Sequence, residues 1–339
     1  MKKYAFWNNK GGTGKTSLAF QMICTYANKN PDKRVLAIDV CPQANLSELF
    51  LGGLHHKGSD NLLKRQGELI RATIGGYFQT RLPSPYSAPP FTPQDYLTKP
   101  SDYNDQIPKN IDLLCGDPLL ELQANAISTL ANNQIPGTDT WIAIIDWLND
   151  FLKPLQDKYD VVFIDTNPSF SIYTQIALSS SNNLLLPVMA DDSSRRAIQN
   201  VFSLIYGLKL PSEIYAKYAY AKKLTSAGRD LPKVHLIMKN RLTQYMGPAS
   251  AYQTVLTSID DDIKSLLDSQ GPIFTFNKIE KGVVDVRDFQ TTGVVSFARG
   301  CPFYNLPSGR LDLLGQRVQV KEEYRQNCVS NIEDLVKRL

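Results

Sequence analysis

The chain is 339 residues long, carries a formal net charge of +4, and contains 42% hydrophobic and 21% charged residues. That length buries a large core, either as one big α/β domain or as one domain with an insertion, and the composition is ordinary for a soluble protein. No run approaches ~18 apolar residues and the apolar run after Lys2-Lys3 is too short for a signal peptide, so neither a membrane-spanning helix nor export is expected. The cysteines at 24, 41, 115, 301 and 328 form no CxxC pair, and the three histidines, two of them adjacent at His55-His56, are too few for a metal site. Reduced thiols in a cytoplasmic protein are the expectation.

Taken in order, residues 3–8 read as a buried first strand, with the apolar run Tyr4-Ala5-Phe6-Trp7. Residues 15–29 read as a helix with Leu18, Ile23 and Tyr26 among its apolar positions. Between them lies Asn8-Asn9-Lys10-Gly11-Gly12-Thr13-Gly14-Lys15-Thr16. Strand, glycine loop, helix is a phosphate cradle. Gly11, Gly12 and Gly14 let backbone N–H groups turn inward, and the helix N-terminus adds its positive dipole end. Thr13 and Ser17 complete the predicted nucleotide contacts. Lys15 would reach the β- and γ-phosphates, and the Thr16 hydroxyl would take one Mg²⁺ position. The strict P-loop pattern places glycine where Asn9 stands, and an extra lysine, Lys10, fronts the loop.

Lys10-Gly11-Gly12-Thr13-Gly14-Lys15-Thr16 resembles the deviant Walker A loop of the ParA/MinD family of ATPases. The resemblance implies a P-loop NTPase fold, a twisted and mostly parallel sheet flanked by helices. It also implies ATP and Mg²⁺ as cofactors, and a homodimer that sandwiches ATP. In that family the front lysine, here Lys10, reaches the ATP of the other subunit. Lys10 and Lys15 are therefore candidate catalytic residues, together with Asp39.

Pro31 ends the first helix, and Arg34-Val35-Leu36-Ala37-Ile38-Asp39 is a second strand closing a βαβ unit. The run Asp39-Val40-Cys41-Pro42-Gln43 is similar to the family's switch motif, usually Asp-Xaa-Asp-Pro-Gln, with Cys41 in place of the second aspartate. The resemblance makes Asp39 a metal-site residue. A thiol is mostly protonated near neutral pH and accepts hydrogen bonds weakly. Slow hydrolysis is the expectation; another residue orienting the water, or a trapped ATP state, are the alternatives.

Residues 55–108 break the composition, with Pro83, Pro85, Pro89, Pro90, Pro93, Pro100 and Pro108 in a Ser/Tyr-rich stretch. Leu62 to Tyr77 has helical spacing. A proline-rich insertion between core strands is predicted, too proline-dense for regular helix or central strand. A solvated loop, a partner-docking surface and a fold back onto the core all remain open.

Residues 111–117 read as a strand and turn, 119–130 as a helix, and 141–157 as an amphipathic helix whose Trp141, Ile144, Ile145, Leu148, Phe151 and Leu152 face a core. Asp160-Val161-Val162-Phe163-Ile164-Asp165 resembles a Walker B strand, with Asp165 holding Mg²⁺ through water. Asn167 replaces the first proline of the family's usual Asp-Thr-Pro-Pro-Ser.

Residues 183–188 are a further strand and 196–208 a helix. From Arg195 to Arg241 there are ten Lys/Arg against two Asp/Glu, and residues 213–223 interleave lysine with tyrosine. Such a stretch predicts a face for a polyanion. Arg195, Arg196, Lys217, Lys222, Lys223 and Arg241 are the candidate contacts to non-specific double-stranded DNA, with a solvated basic helix as the alternative. Residues 233–238 form another strand. In relatives an asparagine near Asn240 contacts adenine, and an arginine just beyond contributes to a DNA-binding patch. Residues 252–267 read as a helix and 273–276 as a short strand. Val283 to Gly293, with Asp285, Arg287 and Asp288, resembles the family's stretch before its final helix. Residues 318–339 read as mostly helical, with a stripe of Val329, Ile332, Leu335, Val336 and Leu339. Glu333 and Asp334 offset Lys337 and Arg338, so packing rather than membrane binding is expected. No helix-turn-helix domain is expected before the P-loop.

The family implies an ATPase that dimerises on ATP, binds DNA non-specifically and partitions or positions DNA or another large cargo. A ParB-like activator or cargo adaptor would be its partner, and its place the nucleoid. The alternative is a weakly hydrolysing nucleotide switch that docks a protein partner through 55–108. A small-molecule ligase of the dethiobiotin synthetase kind is argued against by the switch motif.

Overall fold

The computed structural model describes residues 1–189, 192–242, 249–313 and 315–339; side chains at 192–195, 241–242 and 249–255 lie outside the description. Eight strands form one sheet: β1 (Lys2–Phe6), β2 (Val35–Val40), β3 (Leu97–Thr98), β4 (Ile111–Leu114), β5 (Val161–Thr166), β6 (Asn183–Met189), β7 (Lys233–Leu242) and β8 (Val283–Arg287). Their order is β3-β4-β2-β5-β1-β6-β7-β8. All neighbours are parallel except β3, which runs antiparallel to β4 at the edge.

A parallel sheet buried on both faces needs continuous apolar strands, and β2 and β5 are buried at every position. Alternation then sorts side chains between two layers. Val162 and Ile164 of β5 face Trp147, Leu148 and Phe151, while Val161 and Phe163 face the layer of helices Lys15–Lys29 and Glu322–Val336. The C-terminal stripe packs there: Ile332, Leu335 and Val336 are buried, and Lys29 pairs with Glu333 at 2.9 Å. Among the described residues no helix is long and apolar enough to cross a membrane.

The proline-rich insertion folds back onto the core. Ile74, Tyr77 and Phe78 are fully buried, and Tyr77 packs against Phe91, Tyr96 and Phe151 at ring centroid distances of 4.9–5.7 Å. Arg81 is also buried; it donates to Asp150 at 2.6 Å and lies over the Trp147 ring. The insertion also supplies β3, an edge position where proline-flanked chain is tolerated.

Four elements differ from the periodicity reading. The Leu62–Tyr77 helix is two helices, Gly58–Gln66 and Ile74–Arg81, because Thr73 caps the second by accepting from Gly76 N at 3.0 Å. The 141–157 helix breaks at Asp146 into Thr140–Ile145 and Trp147–Leu152, with its apolar stripe buried as expected. Residues 273–276 make only an isolated bridge, Val234 to Phe274. The final helix begins at Glu322; before it, β9 (Gly309–Leu313) and β10 (Gln316–Val320) form an antiparallel hairpin. Gly315, at φ 85°, lies in its connection.

If the insertion is core rather than loop, Phe78→Ala should cost about 3–5 kcal/mol of unfolding free energy. Urea denaturation reads this; a loss under ~1 kcal/mol would return the insertion to the surface.

Candidate nucleotide site

The three motifs meet at the carboxyl ends of β1, β2 and β5. Register pairs Asp39 with Asp165, and Phe6 with Asp165, so two carboxylates stand beside the loop that leaves β1. This is where ligands bind open α/β sheets.

The loop is held from below. Asn8 is buried; its Nδ2 donates to Pro187 O at 2.8 Å, and its Oδ1 accepts from Lys10 N at 3.0 Å. Gly12 and Gly14 sit at φ 73° and 85°, the left-handed region. A Cβ on Gly14 would lie 2.2 Å from Asn240 Nδ2, so β7 closes directly over the loop. Asn240 Nδ2 donates to Thr13 O at 2.9 Å. The neighbouring Lys239 is buried and donates to Asp260 at 3.0 Å and Asp285 at 2.9 Å, which ties β7 to the helix Ala249–Gln270 and to β8. The helix Lys15–Lys29 starts with no side-chain cap, leaving its first N–H groups to the loop. Ser17 lies in that first turn.

Lys15 Nζ donates to Asn8 O at 3.2 Å and Lys10 O at 3.1 Å. Burial lowers its pKa, and the Asp165 charge opposes that shift. Thr16 Oγ1 donates to Asp165 Oδ2 at 2.7 Å. Asp39 Oδ2 accepts from Ser47 N at 2.9 Å and Ser47 Oγ at 2.8 Å. Both carboxyls are fully buried, and burial pushes both pKa values up; the Asp165 charge raises that of Asp39 further. Cys41 is buried beside them. Burial, then the charges of Asp39 and Asp165, push its thiol up to about 12. It is a neutral S–H at neutral pH.

Nine buried side-chain polar atoms among the described residues lack a hydrogen-bond partner. Five of them are here: Asn9 Oδ1, Thr13 Oγ1, Asp39 Oδ1, Asp165 Oδ1 and Asn240 Oδ1. Buried orphans are rare in folded proteins, and a cluster of them marks a place built for something else to bind. Two buried carboxylate oxygens beside a hydroxyl suit a hard cation such as Mg²⁺, completed by phosphate oxygens. No group of three or more His, Cys, Asp or Glu suited to a metal exists among the described residues.

Residues 1–213 match the family described as an AAA domain. The ParA family protein pGP5-D of the Chlamydia psittaci virulence plasmid is 27% identical over 202 residues, 59% of this chain and 62% of its own length. The cell division protein PomZ of Myxococcus xanthus is 26% identical over 209 residues, 61% of this chain and 52% of PomZ. Among solved structures, an aspartate-to-alanine variant of Cyanothece McdA in complex with ATP superposes with a TM-score of 0.61 at 15% identity, covering 100% of this chain and 96% of McdA. A Borrelia burgdorferi plasmid partition protein superposes with a TM-score of 0.53 at 16% identity, covering 100% and 99% of the two chains. The chain belongs to the ParA/MinD-type P-loop ATPases. The match spans only 62% of pGP5-D.

Within this ParA/MinD site, Ser47 escaped the motif reading. It is fully buried in the first turn of the helix Asn45–Phe50, anchors Asp39, and accepts from Gly116 N at 2.8 Å. Its signal is a hydroxyl residue just inside the helix that follows the switch motif. Asn167, in the place of the family's proline, builds a turn: Ser169 N donates to its Oδ1 at 2.5 Å, and its Nδ2 donates to the Tyr173 hydroxyl at 2.9 Å.

The six predicted DNA contacts are not brought together by any described interaction. Arg196, Lys217 and Lys222 are exposed. Lys223 is half-buried, with its ammonium 5.0 Å from the centre of the Trp141 ring. The side chains of Arg195 and Arg241 lie outside the described residues. Two other cations of the basic stretch are internally paired, Arg229 with Asp146 and Lys239 with Asp260 and Asp285.

The raised Asp39 pKa has a stability consequence. Above the ordinary aspartate value of about 3.9, the unfolded chain releases this proton before the folded chain does. Stability then falls as pH rises, until the folded carboxyl also ionises at about 8. Asp39→Asn keeps an acceptor for Ser47 and removes the charge. Urea unfolding of the ligand-free protein should lose stability between about pH 5 and pH 8 in the wild type and lose less in the variant. Equal slopes would contradict the burial argument.

Proposed function

We propose that this chain is an ATP-hydrolysing, ParA-like positioning ATPase that dimerises around ATP, binds double-stranded DNA non-specifically and moves DNA or another large cargo. The observation that carries this is the cluster of five unpartnered buried polar atoms around the P-loop, with Lys10 in front of it. The names of pGP5-D as a ParA family protein, PomZ as a cell division protein and the Borrelia protein as a plasmid partition protein support the cargo reading.

In this reading the loop N–H groups from Gly11 to Thr16, with Ser17 behind them, cradle the phosphates. Lys15 leaves its carbonyl partners to neutralise the β- and γ-oxygens. Lys10 does the same for the ATP of the second subunit. Thr16, Asp165 and Asp39 would hold Mg²⁺, which would supply charge neutralisation on the β- and γ-phosphates. Asn240 offers its free Oδ1 to the adenine amino group. Hydrolysis cleaves the bond between the γ-phosphorus and the ADP oxygen as water adds to phosphorus. The neutral Cys41 thiol cannot take the water's proton, so turnover is slow and the ATP dimer long-lived. A ParB-like activator or cargo adaptor speeds it. DNA contact comes from the exposed Arg196, with Arg195 and Arg241 as further contacts. Doubling a weak patch in the dimer raises avidity without new contacts. The protein works in the cytoplasm, on the nucleoid.

A second reading, a nucleotide switch that docks a partner and turns over little, draws on Leu63, Leu69 and Ile70. They are exposed although much of the insertion is core.

The test is binding to random-sequence double-stranded DNA with no nucleotide, ADP–Mg²⁺ or ATP–Mg²⁺, across a salt series. Binding should require ATP–Mg²⁺, weaken steeply with salt, and be lost in Lys10→Ala with its ATP dimer. ATP binding without DNA binding in any state would favour the second reading. In the same assays Cys41→Asp should raise ATP turnover; an unchanged rate would mean the thiol is not limiting.

A further inference from the structure

The helix Glu213–Tyr218 has no buried residue. Three of its six side chains are large and apolar, and they stand in solvent: Ile214, Tyr215 and Tyr218 are 71%, 61% and 64% exposed. A stripe of that kind with nothing packed on it marks an interaction surface more often than chance exposure. Tyr215 and Tyr218 form one wall of a groove of about 490 Å³, whose other walls include Trp141, Phe170, Tyr220 and Lys223. Tyr220 is 4% exposed, and its hydroxyl is one of the nine buried polar atoms without a partner among the described residues. An aromatic groove of this kind suits a ligand that brings an apolar group.

Charge selects the ligand. Lys217 and Lys222 are exposed beside the groove and Lys223 lines it; the acidic neighbours are Glu213, at the helix start, and Asp139, near Lys223. DNA matches the charge but not the shape. Phosphate contacts cover cations and leave Ile214, Tyr215 and Tyr218 wet. An acidic polypeptide matches both.

The groove is also connected to the nucleotide site. Phe170 packs on Tyr220 at 5.6 Å and on Trp7 at 5.5 Å, and Trp7 Nε1 donates to Ser169 O at 3.3 Å. Trp7 is the residue before Asn8 of the P-loop, and Phe170 directly follows Ser169, which ends the motif that begins at Asp165.

We propose that this groove docks an acidic segment of a protein partner, which seats an aromatic or aliphatic side chain among Tyr215, Tyr218, Tyr220 and Trp141 and sets its carboxylates on Lys217 and Lys222. The proposal rests on the reading of a partner-stimulated ATPase. It divides the basic stretch, giving the groove side to protein and leaving Arg195, Arg196 and Arg241 to DNA.

The test pans a phage-displayed library of random twelve-residue peptides against the full chain with ATP–Mg²⁺. Selected peptides should combine Asp or Glu with Phe, Leu or Trp, and should perturb Trp141 fluorescence. By fluorescence anisotropy they should bind the Tyr215→Ser/Tyr218→Ser double variant about tenfold or more weakly, as expected when anchor contacts are lost. Lys217→Ala/Lys222→Ala should weaken them without lowering the unfolding midpoint. ATP affinity should be unchanged in all variants. Three results would overturn the proposal: no selection of acidic–apolar peptides; selected peptides that bind the double variant normally; or a double variant that loses instead DNA affinity or the ATP dimer. The last would assign the face to DNA or to a second copy of the chain. Failure of the wild-type chain to bind ATP would strike the underlying reading, whatever the peptides do.

Discussion

Two carboxylates at the ends of adjacent parallel strands, both fully buried, set the terms for this molecule. Asp39 and Asp165 are paired by register between β2 and β5, and each has one oxygen without a partner. Burying like charges side by side is costly, and a fold keeps such a pair when a ligand brings the missing positive charge. The charge of Lys15 acts on Asp165, and its own pKa is lowered by the same burial. The apolar strands, the two helical layers and the glycine loop all serve to hold that pair dry and in place.

The support extends further than the motifs. Ser47 ties Asp39 to Gly116, and the next residue, Asp117, is fully buried and receives two bonds from Arg71, at 2.5 and 2.8 Å. Arg71 belongs to the proline-rich insertion. On the other side, Asn240 reaches Thr13 while Lys239 clamps β7 to two aspartates. The glycine loop is thus gripped from β7 by a buried amide–carbonyl bond, and Asp39 is linked through Ser47 and Gly116 to the part-buried charge-assisted pair of Arg71 and Asp117.

The site is legible in the sequence because its chemistry is local. A glycine loop, a carboxylate closing a β-strand and a lysine at a helix start are each spelled within a few residues, and parallel pairing brings their ends together. The insertion is less legible, because its fold depends on distant partners: Tyr77 and Phe78 pack with Trp147 and Phe151, far along the chain. Its proline count points to irregular chain, and much of the backbone is irregular, but irregular is not the same as exposed. The hairpin before the last helix hides because Arg317-Val318-Gln319-Val320 alternates with period two beside a longer run of period 3.6, and the longer run masks it. Lys223 has a contact that charge counting does not foresee. Its position in a basic run suggests phosphate contact, while its long stem lets the ammonium turn onto Trp141.

In the proposed function, Asp39, Asp165 and the loop form one site completed by a nucleotide and a divalent cation together. The direct measurement is thermal unfolding of the full chain alone, with ATP, with Mg²⁺, and with both. A ligand at ~100 Kd adds about 2.7 kcal/mol, so ATP and Mg²⁺ together should raise Tm by several degrees, by more than the sum of their separate effects. Asp165→Asn should abolish the Mg²⁺-dependent part. No shift with both ligands present, or an equal shift in Asp165→Asn, would contradict the account.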